Sequence, residues 1–179
     1  MFRFMQRFGR HSQARRRGTG PMTRGRRRNH PLNCEALEGR QLLSGYYIVN
    51  QASGKVLDDP GSSTTEGMTI DQYQLNGGAN QRWNFVGLSN GNVEIVNESS
   101  NQVLDDPNDS TSAHVIDQWD WNGGANQQWQ LDQQPNGNYV IVNAYSNLAL
   151  RDPGYSNGNG IQVIQSQLDG GEQWYLSPV

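Results

Sequence analysis

The chain has 179 residues and a formal net charge of −3, but that charge divides sharply near residue 44. Residues 1–44 contain eleven arginines and two acids, a net charge of +9, whereas residues 45–179 contain three basic residues and fifteen acids, a net charge of −12. The length allows one domain of ordinary size plus a tail, and no apolar stretch is long enough to cross a bilayer. The single cysteine, Cys34, lies in the basic part, so the acidic part can form no internal disulfide.

The basic segment, residues 1–44, is rich in arginine, glycine and polar residues and lacks apolar periodicity. Such a segment cannot bury enough apolar surface to offset its chain entropy, so it is predicted to be a disordered basic tail. It also lacks the apolar core of an ordinary secretory signal. Two interpretations stay open: a leader or targeting segment, or a tail attracted to nucleic acid or anionic membranes by charge alone, without a specific nucleic-acid partner.

The end of the tail carries a short motif, Leu37-Glu38-Gly39-Arg40-Gln41-Leu42-Leu43. It resembles the N-terminal segment called LEPR-XLL, which precedes many predicted surface and exported proteins of planctomycete-type bacteria. Gly39 stands where proline is common in that segment. The resemblance implies a bacterial protein that is exported to the cell surface or the extracellular space.

The remainder of the chain is one unit that occurs three times. The clearest copies are Ile70–Trp83 and Ile116–Trp129, with a more divergent copy at Val163–Trp174. A Leu-x-Asp-Pro segment precedes each copy, and the tryptophans that close the copies recur at intervals of 46 and 45 residues. A period in this range indicates repeated supersecondary units, here predicted to span about 45–91, 92–137 and 138–179.

Each repeat has the pattern of β-strands. Apolar and polar residues alternate over short runs, and no window shows a convincing amphipathic helix. Asn-Gly pairs at 76–77, 90–91, 122–123 and 136–137 are typical of type I′ hairpin turns, because both residues tolerate positive φ. Three units are too few for a propeller, and a solenoid would need capping repeats. The prediction is an all-β fold in which three four-stranded repeats close as a β-trefoil.

The closing tryptophans belong to a recognisable signature. Gln81-Arg82-Trp83 and Gln127-Gln128-Trp129 resemble the Gln-x-Trp motif of ricin B-type lectin domains, which are also grouped as a carbohydrate-binding module family. The Asn-Gly-Gly-Ala-Asn runs and the Gly54–Asp58 segment match the same signature. The resemblance covers residues 45–179 and implies non-catalytic binding of galactose-type sugars or of a polysaccharide such as xylan. The cysteines that many members carry are replaced here by Val56, Val103 and Ala149, so apolar packing stands in for the disulfides.

The resemblance also implies two binding sites. A sugar presents an apolar C–H face and a rim of hydroxyls, so its site needs an aromatic ring and a carboxylate acceptor. The first site would use Asp58 as acceptor, Tyr73 as ring, and Asn80 and Gln81 as polar partners; the second would use Asp105, Trp119, Asn126 and Gln127 in the same roles. Asp71 and Asp117 are further candidates, at a position where the family often has glutamine. The competing interpretation is that Asp-Asp-Pro opens a turn, and one aspartate of each pair is expected to serve that purpose.

The third repeat departs from this pattern. Arg151 stands where the acceptor aspartate should be, Ser166 stands where the ring should be, and Glu172-Gln173-Trp174 lacks the Asn-Gln pair. This repeat is predicted to be inactive toward the same ligand, although Arg151 could bind an acidic sugar.

Other function classes are less well supported by the sequence. The aspartates are plentiful but belong to separate repeats, and no Ser-His-Asp or Cys-His set accompanies them, so no catalytic residues or cofactors are predicted. The run from Asp105 to Asp109 has oxygen ligands for calcium but lacks the spacing of a known loop, so no metal site is predicted. A trefoil that binds a protein, as an inhibitor or interaction module, remains the alternative.

Overall fold

A computed structural model describes residues 42–169 and 172–179 of the chain. Residues 1–41 of the predicted basic tail, which include Cys34 and most of the LEPR-XLL-like motif, lie outside the described residues. Within the described ranges, no helix combines the length and the apolar character that a membrane crossing requires.

The described residues form strands and single-turn 3-10 helices. The first repeat contains β1 (Leu42–Asn50), β2 (Val56–Asp58), β3 (Met68–Thr69), β4 (Asp71–Tyr73) and β5 (Trp83–Gly87). The second contains β6 (Val93–Asn97), β7 (Val103–Asp105), β8 (His114–Val115), β9 (Asp117–Trp119) and β10 (Trp129–Gln133). The third contains β11 (Tyr139–Asn143), β12 (Ala149–Arg151), β13 (Ile161–Gln162), β14 (Ile164–Ser166) and β15 (Trp174–Pro178). The 3-10 helices are Pro60–Ser62, Ala79–Gln81, Pro107–Asp109, Ala125–Gln127 and Pro153–Tyr155.

Six long strands close a barrel. β1 pairs with β5 and with β15, β5 with β6, β6 with β10, β10 with β11, and β11 with β15, all antiparallel. The hairpins β2–β4, β7–β9 and β12–β14 form a cap, in which β3 pairs with β9, β8 with β14, and β13 with β4. This closed, threefold arrangement confirms the predicted β-trefoil, and closure removes the exposed edges of the long strands.

The predicted third strand of each repeat is divided in two at one residue. These residues are Ile70, Ile116 and Val163, all fully buried. The backbone amide of Ile70 donates to the carbonyl of Ile116, Ile116 donates to Val163, and Val163 donates to Ile70, each at 3.0 Å. These three hydrogen bonds form a closed ring between the repeats. Each strand is interrupted because its central amide bonds to a neighbouring repeat and not to the paired strand of its own sheet ladder.

The repeated tryptophans lie in the hydrophobic core. Trp83, Trp129 and Trp174 have no exposed surface. Their indole Nε1 groups donate to the carbonyls of Leu57, Leu104 and Leu150 at 3.1, 3.0 and 2.9 Å. Each tryptophan therefore supplies a large apolar body while its one polar atom keeps a partner.

The Asn-Gly pairs mark turns, but the predicted type I′ geometry is wrong. Asn90-Gly91 lies in a longer loop between β5 and β6, in which Leu88 donates to the Asn92 carbonyl at 2.8 Å and Gly91 has a φ of 89°. Asn90 has no positive φ. Its side-chain Oδ1 instead accepts the amide of Asn92 at 3.0 Å, so the asparagine supports the loop by hydrogen bonding rather than by a left-handed backbone.

The first strand begins earlier than the expected boundary at Gly45. Leu42 and Leu43 pair with Val86 and Phe85 of β5, and Leu43 packs against the core. The last two leucines of the LEPR-XLL-like motif are thus part of the barrel.

Candidate functional site

The first candidate site surrounds Asp58, the last residue of β2. Its side chain is only 4% exposed, and its Oδ1 accepts Asn80 Nδ2 at 3.0 Å and Gln81 Nε2 at 2.7 Å. Burial raises the pKa of Asp58, and the hydrogen bonds from Gln81 and Asn80 act in the opposite direction. Both amides converge on one oxygen, and no hydrogen bond from another described residue reaches Oδ2. The geometry therefore orients the carboxylate and leaves one acceptor oxygen for a ligand.

The Asn-Gly-Gly-Ala-Asn-Gln run builds this support. Asn76 Oδ1 accepts the Gly78 amide at 2.7 Å, and Gln81 Oε1 accepts the Asn76 amide at 2.8 Å, which folds the run back on itself. A Cβ at Gly78 would collide with Asn80 Oδ1 and lie 2.9 Å from Asn76 Oδ1, so a larger residue would displace these two side chains. Gln81 has no exposed surface and its amide is engaged by the protein, so it holds Asp58 in place and offers no surface to a ligand.

Tyr73 and Asp71 lie on the neighbouring strand β4. Tyr73 is 40% exposed at the end of that strand, opposite Val56 of β2. Asp71 lies opposite Asp58 in the strand register and is buried. Burial raises the pKa of Asp71 to about 7, and the charges of Asp58 and Asp59 add to the effect. The site thus combines an accessible ring with two facing acidic groups.

The second candidate site repeats this arrangement. Asp105 is 4% exposed and its Oδ1 accepts Asn126 Nδ2 at 3.0 Å, while Trp119 is 40% exposed on β9. Asp117 lies opposite Asp105, and burial together with the Asp105 charge raises the pKa of Asp117 to about 7. Burial likewise raises the pKa of Asp105, and hydrogen bonding from Gln127 opposes it. Gln127 has no exposed surface, and its Nε2 donates to the Asp120 carbonyl at 3.0 Å.

The second aspartate of each Asp-Asp-Pro segment connects two repeats. Asp59 Oδ1 accepts Gln118 Nε2 at 3.3 Å, and Asp106 Oδ1 accepts Gln165 Nε2 at 2.7 Å. Both aspartates are fully buried, and burial raises the pKa of each to about 6. One aspartate of each pair was expected to open a turn; Asp59 and Asp106 do precede a 3-10 helix, but neither side chain caps it, and each side chain instead joins two repeats. The partner glutamines were not predicted, because their role depends on contacts between repeats.

The third repeat replaces the hydrogen-bonded set with an ion pair. Arg151 Nη1 lies 2.8 Å from Asp169 Oδ2 and 3.7 Å from Glu172 Oε1, and Glu172 has no exposed side-chain surface. Glu172 Oε1 accepts the Asp169 amide at 3.0 Å, as Gln81 Oε1 accepts the Asn76 amide in the first repeat. A cleft of about 550 Å³ lies here, lined by Arg151, Ser166, Leu148 and Leu168 among others. Because two acids already neutralise Arg151, the geometry does not favour an acidic sugar as its ligand.

A second open cleft, of about 450 Å³, adjoins the second site. It is lined by Asp109, Asn122, Gly124, Ala125, Asn126 and Tyr145. Tyr145 is 44% exposed and follows β11, the first strand of the third repeat. Tyr145 was not among the predicted site residues because it lies outside the repeat whose site it borders. One feature of the sequence could have identified it. The equivalent position of the three repeats holds Ala52, Ser99 and Tyr145, so only the third of these loops has an aromatic residue there.

Among described residues, no group of three or more histidine, cysteine, aspartate or glutamate side chains is arranged to hold a metal ion.

Comparison with known proteins places this geometry in context. No curated protein matches the sequence significantly. Among solved structures, the designed threefold-symmetric protein ThreeFoil is 36% identical, with 75% of this chain and 99% of that chain covered and a TM-score of 0.74. An exo-β-1,3-galactanase from Clostridium thermocellum is 31% identical over 76% of this chain but only 30% of that chain, with a TM-score of 0.73.

More distant structures share the fold. The ricin B-like lectin of Macrolepiota procera, solved with lactose, is 19% identical, covers 80% of this chain and 99% of that chain, and has a TM-score of 0.65. A family model described as ricin-type β-trefoil lectin domain-like matches residues 38–115 and 79–166, which together span most of the chain. The chain therefore belongs to the ricin-type β-trefoil lectin domain-like family.

Proposed function

We propose that this protein binds carbohydrate without catalysis, through two similar sites centred on Asp58 and Asp105. The observation that carries the proposal is the duplication itself: both sites pair an asparagine-supported, buried carboxylate with an aromatic ring that is 40% exposed. The ring of Tyr73 or Trp119 would stack on the C–H face of a sugar, while the aspartate accepts its hydroxyls. Two equal sites suit a ligand with repeating units, because weak contacts then combine through effective concentration.

The ligand class follows from chemistry and from the relatives. Related structures were solved with lactose and with GalNAc, and the galactanase acts on a β-1,3-galactan, so a galactose-type sugar is proposed first. A polysaccharide such as xylan is the second candidate. The match to the galactanase covers only 30% of that enzyme, so the likeness does not extend to the whole enzyme. Export to the cell surface, behind the basic segment, is part of the same proposal.

Within each site, the residues have different roles. Asp58 and Asp105 contact the ligand as acceptors, with Asn80 and Asn126 beside them. Gln81 and Gln127 act indirectly, by positioning the loop and the carboxylate, because neither has exposed surface. Asp71 is the second acidic group of the first site, and Asp117 is the second acidic group of the second site.

Calorimetric titration of the full chain with galactose, lactose and xylose tests the proposal. We expect two binding sites per chain for at least one of these sugars. Asp58→Asn and Asp105→Asn should each leave one site, and the double variant none, because the amide oxygen of the new asparagine stays with Asn80 or Asn126 and its NH2 group replaces the acceptor oxygen that faces the ligand.

Matched controls separate binding from folding. Asp132→Asn changes an exposed aspartate on β10, and Tyr175→Ala removes a tyrosine of similar exposure to Tyr73, from β15. Both should bind like wild type, whereas Tyr73→Ala should weaken the first site. Binding that persists in the double aspartate variant would refute the proposed sites, and the absence of all sugar binding would favour a protein partner.

A further inference from the structure

The two proposed sites differ on one side. The second site adjoins the 450 Å³ cleft that contains Tyr145 and Asp109, a volume within the range of small-molecule sites. The cleft and the site share Asn126, which lines the cleft and donates from Nδ2 to Asp105 Oδ1 at 3.0 Å. A ligand on Asp105 is therefore separated from the cleft by one side chain.

The loop that carries Tyr145 is fastened to the site by hydrogen bonds. Asn143 Nδ2 donates to the Asn126 carbonyl at 2.7 Å, and Asn143 Oδ1 accepts the Tyr145 amide at 3.0 Å. The backbone of Tyr145 is thus held in a set position relative to Asn126, while its ring remains 44% exposed.

The first site has the same loop without the ring. Asn97 Nδ2 donates to the Asn80 carbonyl at 2.9 Å, and Asn97 Oδ1 accepts the Ser99 amide at 2.9 Å. Ser99 therefore occupies the place of Tyr145, and Ser62, at the end of the first 3-10 helix, occupies that of Asp109. The sites match in backbone, acceptor aspartates and supporting amides, but only the second has an aromatic ring in this loop and an acid at the end of the 3-10 helix.

We infer that Tyr145 and Asp109 form a second sugar subsite, so that the second site binds two or more consecutive units of an oligosaccharide while the first site binds a single unit. The inference rests on the proposed carbohydrate-binding function. The exposed ring offers a stacking face for a second sugar, and the Asp109 carboxylate offers an acceptor for its hydroxyls. The first repeat would then bind a single sugar unit, whereas the second would bind several consecutive units of an oligosaccharide.

The test compares chain-length dependence at each site in the full chain. Asp58→Asn isolates the second site and Asp105→Asn isolates the first, and each is titrated with galactose and β-1,3-galactotriose, and with xylose and xylotriose. For whichever sugar series binds, the measured quantity at each site is the ratio of the trisaccharide affinity to the monosaccharide affinity. We expect this ratio to be about fivefold larger at the second site than at the first. The first site serves as the baseline because a trisaccharide offers several units to any site.

Reciprocal substitutions assign the effect to the ring. Tyr145→Ser in the Asp58→Asn background should reduce the trisaccharide-to-monosaccharide ratio to that of the first site. Ser99→Tyr in the Asp105→Asn background should raise the ratio at the first site, and Tyr175→Ser, on an exposed tyrosine elsewhere, should leave both ratios unchanged.

The outcomes separate the two proposals. Equal chain-length dependence at both sites, or a gain that survives Tyr145→Ser, overturns the subsite while leaving two-site sugar binding intact. If neither background binds any of the four sugars, the proposed function fails, and the subsite fails with it.

Discussion

At the scale of single residues, each proposed site places two aspartates opposite each other, which lowers the stability of the folded chain. Asp71 faces Asp58 and Asp117 faces Asp105 across paired strands, an arrangement that is unfavourable for like charges. The Oδ1 atoms of Asp71 and Asp117 are also buried without a hydrogen-bond partner among the described residues. Local violations of this kind are expected where a residue serves function rather than stability.

This cost predicts a pH dependence of stability. The pKa of Asp71 and of Asp117 is about 7 in the folded chain, against the ordinary aspartate value of 3.8 in the unfolded chain. Between about pH 4 and pH 7 the folded state therefore binds more protons, so the free energy of unfolding should increase as the pH falls from 8 to 5. Asp59 and Asp106, with pKa values of about 6, act in the same direction.

Amide substitutions test the source of this effect. Asp71→Asn and Asp117→Asn should each stabilise the domain at pH 8, by on the order of 1 kcal/mol, and should flatten the pH dependence. Denaturant unfolding at pH 5, 6, 7 and 8 measures both effects, with Asp132→Asn as an exposed control. A wild-type stability that rises with pH over this range would contradict the prediction.

The site was partly predictable from sequence because its residues repeat. Asp58, Tyr73 and their counterparts recur at one spacing, so a shared role could be inferred without coordinates. Tyr145 could not be found in this way, since its place beside Asn126 depends on how one repeat closes against the next. The burial of Gln81 was equally hidden, because only the folded loop shows that its amide bonds to the Asp58 side chain and to backbone groups of Gln74 and Asn76.

At the scale of elements, the third repeat has different side chains at the position that corresponds to the two proposed sites. An arginine replaces the acceptor aspartate, and Glu172 takes the place of the glutamine, so the charge changes on both sides of one contact. A buried arginine alone would leave an uncompensated charge, and so would a buried glutamate. The two replacements are therefore expected to depend on each other.

A double-mutant cycle measures that dependence. Arg151→Met should cost about 3 kcal/mol because it removes the cation that lies 3.7 Å from the buried carboxylate of Glu172, and adding Glu172→Gln should recover most of the loss. The exposed pair Arg82–Glu98, at 3.0 Å, is the matched control and should show a coupling below about 1 kcal/mol. Additive losses in the Arg151–Glu172 cycle would show that the pair is not coupled.

Strand positions were predictable where apolar and polar residues alternate, and the barrel strands β5, β10 and β15 each begin at a repeated tryptophan. The division of the cap strands at Ile70, Ile116 and Val163 was not, because it follows from hydrogen bonds between repeats more than 40 residues apart. The turn type was mispredicted for a related reason: an asparagine side chain that bonds its own loop removes the need for a left-handed backbone.

At the scale of the whole molecule, the barrel includes residues from the predicted tail. Leu43 packs against the core, whereas its neighbour Leu42 is largely exposed. Leu43→Ala in the full chain should therefore lower the free energy of unfolding by about 1–2 kcal/mol, and Leu42→Ala by less than about 0.5 kcal/mol. Thermal and denaturant unfolding of the two variants would show this difference, and equal effects would argue against a structural role for this end of the motif.

The ring of backbone hydrogen bonds that joins Ile70, Ile116 and Val163 has a consequence for the origin of a three-repeat chain. Each amide in the ring finds its acceptor in the next repeat, and each cap hairpin likewise pairs with its neighbour, so one repeat alone satisfies none of these bonds. A peptide of a single repeat could complete them only by assembling with two further copies. Fusion of three copies turns that concentration-dependent assembly into an intramolecular one, after which one repeat could lose the ancestral site while the others kept it.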